Sequence, residues 1–228
     1  MTMEQRTAEW FLARKGKLTA SEIHNILASS RKKDEVLGET AMSYIKGKVA
    51  ESVMNDDVFV EMQDMAFSNA ATRWGEMYEP DARRLYSGLT GMDVEENGFI
   101  PYSPHCGGSP DGMNKDGQGI IEIKCPFNSA KHVEFMLMKS PEDLLAANRQ
   151  YYYQCQANLL FTGRRYVDFI SYDPRMSELL NIKVLRIEAN GKDFDLLKTR
   201  ISIAEERLEK MVSEITRVGL AQFKNWGR

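Results

Sequence analysis

The sequence predicts one α/β domain over residues 1–228, with a mixed central β-sheet flanked by helices. Three observations carry that expectation. Helical patterns fill the N-terminal part, a three-strand meander runs from Thr90 to Cys125, and a helix, two strands and a long amphipathic helix follow. A composition of 43% hydrophobic and 28% charged residues in 228 positions supplies enough apolar material for a buried core. Within the meander, Ile120-Ile121-Glu122-Ile123-Lys124 sets two charged side chains on one face of a strand and isoleucines on the other.

The first element is Trp10 to Leu18, leading into Thr19-Ala20-Ser21-Glu22-Ile23. That stretch reads as a capping box, Thr19 at the N-cap and Glu22 at N3, ahead of the apolar Ile23, Ile26 and Leu27. A helix start offers free backbone N–H groups, and Arg14, Lys17 and the Ser21 hydroxyl stand beside it. Anion binding and a plain cap with solvated basic residues are both open on these residues alone. His24, on the same helix, reads as a packing or surface residue. Arg31-Lys32-Lys33-Asp34-Glu35 is expected to be a solvated loop. Ile45, Val49 and Val53 at four-residue spacing mark a second helix, and Asp56-Asp57 and Gln63-Asp64 are expected in connections. From Ala66 to Tyr86 a longer pattern carries Trp74, Met77, Tyr78, Leu85 and Tyr86 on its apolar side, and Pro80 is expected to kink or divide it. Glu76 and Glu79 share a helix edge and, taken alone, read as solvent-exposed.

Thr90 to Ile100 reads as a turn and a short strand. Ser109-Pro110-Asp111-Gly112 is a tight turn, Asp116-Gly117 marks a hairpin connection, and Cys125-Pro126 ends the strand that follows. One turn thus delivers a carboxylate, Asp111, and the next strand delivers Glu122 and Lys124. Alone, Glu-x-Lys is a common solvated pair. Charge on an Ile-rich strand is costly to bury unless paired or metal-bound, and Asp and Glu supply the hard oxygens that Mg²⁺ and Mn²⁺ prefer. A Lys two residues on can orient or deprotonate a metal-bound water, or stabilise a phosphate oxyanion.

Helices are expected at Lys131–Met138 and Ser140–Phe161, the second starting with a Ser140 N-cap and Pro141 at N1. Tyr151-Tyr152-Tyr153-Gln154-Cys155-Gln156 is too polar for pure core, and three successive tyrosines span most of a turn, so at least one is expected to face solvent or a ligand. Tyr166–Tyr172 alternates as a strand, Asp173-Pro174-Arg175 turns, and Ile182–Ile187 returns as another. The last helix, Phe194 to about Val218, repeats Leu197, Ile201, Ala204, Leu208, Met211 and Ile215.

Several classes are excluded. No run of about 18 apolar residues marks a transmembrane helix, and the N-terminus lacks the apolar stretch of a signal peptide, so a cytoplasmic protein is expected. Cys106, Cys125 and Cys155 are odd in number and unpaired in spacing, which argues against a disulfide framework, a zinc site and an iron–sulfur cluster. A net charge of −3 gives no support for nucleic acid, so any positive field must be local.

Taken together, five blocks resemble one family. They are Leu18-Thr19-Ala20-Ser21-Glu22, Trp74-Gly75-x-x-Tyr78-Glu79-x-Asp81-Ala82-Arg83, Ser109-Pro110-Asp111-Gly112 with Glu122-Ile123-Lys124-Cys125-Pro126-Phe127, Gln154-Cys155-Gln156, and Tyr172-Asp173-Pro174-Arg175-Met176. Their order and spacing, from about Trp10 to Trp226, resemble the phage lambda exonuclease family. These are YqaJ-like viral recombinase exonucleases of the PD-(D/E)xK superfamily, with a restriction-endonuclease-like fold. The resemblance implies a 5′→3′ exonuclease on linear double-stranded DNA that releases 5′-mononucleotides and leaves a 3′ overhang for recombination by strand annealing. It implies that Asp111 and Glu122 hold two Mg²⁺ ions, for which Mn²⁺ can substitute, with the Ile123 carbonyl and Glu79 as further ligands, and that Lys124 acts on the attacking water. Arg14, Ser21, Ser109 and Gln154 match the family's pocket for a terminal 5′ phosphate. The resemblance also implies a homotrimeric ring around DNA, a single-strand annealing partner, no membrane, and a phage or prophage protein working in a bacterial cytoplasm. Two rivals are a structure-specific or restriction-type endonuclease of the same fold and a non-catalytic DNA-binding module.

Overall fold

A computed structural model describes residues 3–28, 35–67 and 69–226. In chain order the first half comprises α1 (Ala8–Arg14), β1 (Leu18–Thr19), a 3-10 helix (Ala20–Leu27), α2 (Glu39–Val53), α3 (Asp56–Phe67) and α4 (Ala70–Thr90). Strands β2 (Val94–Glu95), β3 (Ile100–Ser103), β4 (Cys106–Gly108), β5 (Gly112–Asn114) and β6 (Gly119–Lys124) follow. The rest is α5 (Ser129–Leu137), α6 (Pro141–Ala147), α7 (Arg149–Thr162), β7 (Tyr166–Tyr172), β8 (Ile182–Glu188) and α8 (Gly191–Trp226).

Five strands form the main sheet in the order β2-β5-β6-β7-β8. β6 and β7 run parallel while the other neighbouring pairs are antiparallel, so the sheet is mixed and flanked by helices, as the sequence predicts. A parallel pair needs a long crossover, and α5, α6 and α7 make it. Alternation along β6 decides what each face meets. Ile120 belongs to the main core with Val167, Phe169, Leu185 and Ile187, under α7, α2, α8 and the 3-10 helix. Ile121 and Ile123 face the other way, against Ala82 and Tyr86 of α4. Glu122 shares the Ile120 face and is therefore covered by α7, so β6 is buried on both sides.

Several elements depart from the sequence reading. A second, three-stranded sheet, β1-β4-β3, was not expected; Leu18 and Thr19 pair in parallel with Cys106 and Gly107. With Thr19 held in that strand, the following turn is a 3-10 helix, and Thr19 provides it with no side-chain cap. Asp56-Asp57 and Gln63-Asp64 lie in α3 and not in connections, because Phe59 gives that helix an apolar anchor against Trp10 and Phe11. The Ala66–Tyr86 pattern divides before Pro80, at Asn69, whose side chain accepts from Thr72 N at 2.9 Å. α4 then runs through Pro80, with Ala82 and Tyr86 fully buried beyond it; the packing of that stripe offsets the missing N–H. Met77, placed on the apolar side, is exposed, and so are Val53 and Ile215. Ser140–Phe161 is two helices, broken at Asn148, whose Oδ1 accepts from Tyr151 N at 3.0 Å. α7 is core despite its polarity. Gln156 Nε2 donates to the Glu188 carbonyl at 2.9 Å, and the Tyr152 and Tyr153 hydroxyls donate to Asp193 at 2.8 and 3.3 Å. Of the three tyrosines only Tyr151 is half-buried and reaches a cavity. The run Arg31-Lys32-Lys33-Asp34 lies outside the described residues.

Phe169 is 1% exposed in the main core and Phe223 is 77% exposed on α8. Phe169→Ala is expected to lower unfolding free energy by about 3–5 kcal/mol, and Phe223→Ala to change it by less than about 0.5 kcal/mol. Urea titrations of the two variants compare them directly.

Candidate active site

The site is sewn together from the turn before β5 and the end of β6. Asp111 N donates to the Ile121 carbonyl at 3.1 Å, and Asp111 Oδ2 accepts from Ile123 N at 2.6 Å. The same register that fixes Asp111 brings Glu122 and Lys124 to the face beneath α7. Glu122 is 1% exposed. Its Oε1 accepts from Lys124 Nζ at 2.7 Å and Gln154 Nε2 at 2.6 Å, and its Oε2 accepts from Asn158 Nδ2 at 3.1 Å. Lys124 Nζ also donates to Gln154 Oε1 at 3.3 Å and lies 4.7 Å from the Tyr151 ring centroid. Asn158 approaches so closely that a Cβ on Gly108 would lie 2.3 Å from its Oδ1 and 3.0 Å from the Ala20 Cβ. Only glycine leaves room at that point on β4.

Burial, then the charges of Glu122 and Glu79, push the Asp111 carboxyl well above the usual carboxylate range, against the pull of Lys124 and the Ile123 N–H. Burial also raises Glu122, opposed by Lys124 and Asn158. Burial disfavours the Lys124 ammonium, but Glu122 and Asp111 outweigh it and hold the amine above its ordinary value. Lys124 is therefore a cationic donor here and not a free base. Cys125 lines the groove beside it, and burial pushes its thiol up to about 12, which leaves no thiolate nucleophile.

These groups line a groove of about 830 Å³. Glu79 lies on its wall, Oε2 bound by Arg6 at 2.8 Å and Oε1 by Arg83 at 2.8 Å. Arg14 and Ser21 border both this groove and a second cavity of about 360 Å³. The Arg14 guanidinium lies 4.1 Å from the Trp10 ring centroid and forms no ion pair among the described residues. Burial brings its pKa down to about 10, with Glu22 opposing. A desolvated cation bordering two cavities is an anion-binding arrangement.

Of the sequence-derived residues, Asp111, Glu122, Ile123 and Lys124 come together, and Arg14 and Ser21 adjoin. Ser109 Oγ accepts from Trp10 Nε1 at 3.0 Å, fixing the ring on which Arg14 stacks. Gln154 sits at the carboxylates, with both of its polar atoms on Glu122 and Lys124. Lys17 points away, donating to the Pro104 carbonyl at 2.7 Å. Sequence reasoning missed Asn158, Gln150, Gln5 and Arg6. Asn158 carried a usable signal, since it lies four residues after Gln154 on one helix face. Gln150 Nε2 donates to the Ser21 carbonyl at 3.2 Å, a long-range contact without local signature.

Among the described residues no three His, Cys, Asp or Glu gather round a single point. The donor set is nonetheless all oxygen: the buried Glu122 and the half-buried Asp111, whose proton affinity Glu122 raises, with Ile123 on the same groove wall. That chemistry fits a hard divalent cation, which relieves the repulsion.

The profile of the YqaJ-like viral recombinase domain matches residues 9–165. No curated protein sequence matches the chain. Among solved structures, an alkaline exonuclease from Laribacter hongkongensis, LHK-Exo, is 29% identical with a TM-score of 0.76, over 95% of this chain and 100% of that one. The same enzyme in complex with dAMP is similar at TM-score 0.75, 29% identity and the same coverage. A phage-related exonuclease from Haemophilus somnus shares the fold, with a TM-score of 0.68, 17% identity and coverage of 90% and 99%.

The raised Asp111 pKa sets a pH dependence for the metal-free protein. An acid whose folded pKa lies above its unfolded value stabilises the fold below the unfolded pKa, and that stability is lost as pH rises through the folded pKa. Asp111→Asn is therefore expected to melt higher than wild type at pH 8 in EDTA, with the difference shrinking as pH falls towards 5. Thermal melts across that range measure it.

Proposed function

The chain belongs to the YqaJ-like viral recombinase domain family, and we propose that it is a metal-dependent 5′→3′ exonuclease on linear double-stranded DNA. It would release 5′-mononucleotides and leave a 3′ single strand for recombination by annealing. The observation that carries this reading is the groove itself. Its lining brings together the half-buried Asp111, the buried Glu122, a cationic Lys124 and the Arg14 guanidinium stacked on Trp10.

Asp111, Glu122 and the Ile123 carbonyl would hold Mg²⁺ or Mn²⁺, with Glu79 as a further oxygen donor. Bound there, a pair of divalent ions activates water at neutral pH and neutralises charge on the attacking and leaving oxygens. Lys124 would keep the Glu122 carboxylate charged and donate to water or to a phosphate oxygen. Gln154 and Asn158 hold Glu122 in one rotamer, so little reorganisation is left for the chemical step. Arg14, with the Ser21 hydroxyl beside it, would receive the 5′ phosphate. A terminal phosphate carries more charge than an internal diester, and this favours an end over a continuous strand and argues against the endonuclease reading. A three-copy ring around DNA, an annealing partner and work in a bacterial cytoplasm belong to the same proposal.

Asp111→Ala, Glu122→Ala and Lys124→Ala are each expected to lower nucleotide release by at least about 10²–10³, with DNA binding retained in the Lys124 variant. Near wild-type release by any of the three would remove that residue from the mechanism. Mg²⁺ or Mn²⁺ is expected to support turnover, and Ca²⁺ binding alone, since its looser geometry spoils the line of attack. Activity in excess EDTA would contradict the metal. The Arg14 assignment is tested by initial rates of wild type and Arg14→Ala on 5′-phosphorylated and 5′-hydroxyl duplex. Wild type is expected to prefer the phosphorylated end and the variant to lose most of that preference. Equal wild-type rates, or an unchanged ratio in the variant, would return Arg14 to a packing role.

A further inference from the structure

Arg6 is the one non-glycine among the described residues with a left-handed backbone, φ +67°. Such a conformation persists where the surroundings over-determine it, often at functional sites. Here both neighbours are fixed. Gln5 Nε2 donates to the Pro110 carbonyl at 3.0 Å and the Asn97 carbonyl at 2.9 Å, and Thr7 Oγ1 accepts from Trp10 N at 3.3 Å to start α1. The side chain held between them enters the groove that Asp111, Glu122 and Lys124 line. Its Nη2 lies 2.8 Å from Glu79 Oε2 and its Nε 3.3 Å from Glu76 Oε1. Burial lowers the Arg6 pKa, but Glu79, Glu76 and Asp111 together hold it above its ordinary value. The other oxygen of Glu79 is already taken by Arg83 at 2.8 Å. A divalent cation on Glu79 Oε2 would lie beside the Arg6 guanidinium, and the repulsion between the two positive charges sets them in competition for that oxygen.

We propose that Arg6 is a built-in counter-ion that competes with the divalent cation for Glu79, and that the cation's arrival frees the Arg6 guanidinium to bind a phosphate of the substrate. The inference rests on the metal-dependent reading above and assigns the groove a second phosphate ligand, separate from Arg14. Three features support it. The guanidinium fork matches phosphate oxygens bidentately. The anchored backbone at Gln5 and Thr7 keeps the side chain at the groove after it leaves Glu79. Arg83 retains Glu79 while Arg6 departs, so the carboxylate stays in place for a metal. Metal binding and phosphate binding are then positively coupled, and the coupling is reciprocal.

The test is calorimetric titration of Mn²⁺ into wild type, Arg6→Gln, Glu79→Gln and the double variant, without DNA. Removing the competitor is expected to tighten Mn²⁺ binding by about fivefold, the low end of ordinary coupling, and to have no such effect once Glu79 is Gln. In Ca²⁺, affinity for 5′-phosphorylated duplex is expected to rise less in Arg6→Gln than in wild type. Unchanged or weaker Mn²⁺ binding by Arg6→Gln, or the same gain in the Glu79→Gln background, would overturn the proposal. Should Arg6→Gln fail to fold, Arg6→Lys keeps the charge without the fork. It is expected to bind Mn²⁺ like wild type and to lose the metal-dependent gain in DNA affinity, and retention of that gain would overturn the phosphate role. Wild type that takes up no Mn²⁺ would instead overturn the metal reading, and this inference with it.

Discussion

Glu122 is buried and Asp111 is half-buried against the same strand, and much of the structure answers the cost of keeping the two carboxylates there. A buried charge is tolerated only when paired and hydrogen-bonded. Glu122 accordingly has three donors, an ammonium on the next alternate residue of its own strand and two amides from α7. Asp111 has a backbone N–H of the strand that carries Glu122. Since a half-satisfied buried network is worse than an apolar core, α7 must arrive at one depth and one rotation. Gly108 is the residue that lets it come that close.

Topology supplies what the carboxylates need. Parallel pairing of β6 with β7 demands a long crossover, and that crossover lays α7 over the Glu122 face. Its Tyr152 and Tyr153 hydroxyls tie it to Asp193 at the start of α8, so the amide-bearing face cannot roll away. On the opposite face α4 is anchored by Ala82 and Tyr86, and the Tyr86 hydroxyl donates to Asp168 at 2.7 Å. Arg186 closes that network with two bonds of 2.8 Å to the same carboxylate. Glu79 lies three residues before Ala82 and seven before Tyr86, so the stripe that packs α4 on the sheet ends in the groove. Core packing and site geometry are the same contacts seen from two sides.

What could be read from the sequence follows the range of the interactions. β6, β7 and β8 were legible because alternation and turn residues act over a few positions, and Asp111, Glu122 and Lys124 came with them. The capping box at Thr19 failed because Leu18 and Thr19 are claimed by β4, a partner far along the chain. α3 was misplaced because its apolar anchor, Phe59, is satisfied only by Trp10 and Phe11. The polar residues of α7 argued locally for exposure, and their burial makes sense only beside Glu122 and the Glu188 carbonyl. Gln154, expected at the 5′-phosphate pocket, lines the groove with Arg14, Ser21 and Ser109 and also holds the Glu122 carboxylate, a contact no local pattern announces. The Arg6 ion pairs join residues seventy or more positions apart, beyond the reach of any local pattern.

On the proposed function, Asp111 and Glu122 work on DNA from an end, because the groove they line also holds a cation suited to a terminal phosphate, Arg14. The most direct test is acid-soluble nucleotide release from linear and from covalently closed circular duplex of one sequence, in Mg²⁺. An exonuclease is expected to give steady release from the linear form and to leave the circle intact at the same enzyme concentration. Cleavage of the circle would contradict it in favour of an endonuclease, and no release from either form would leave a DNA-binding module.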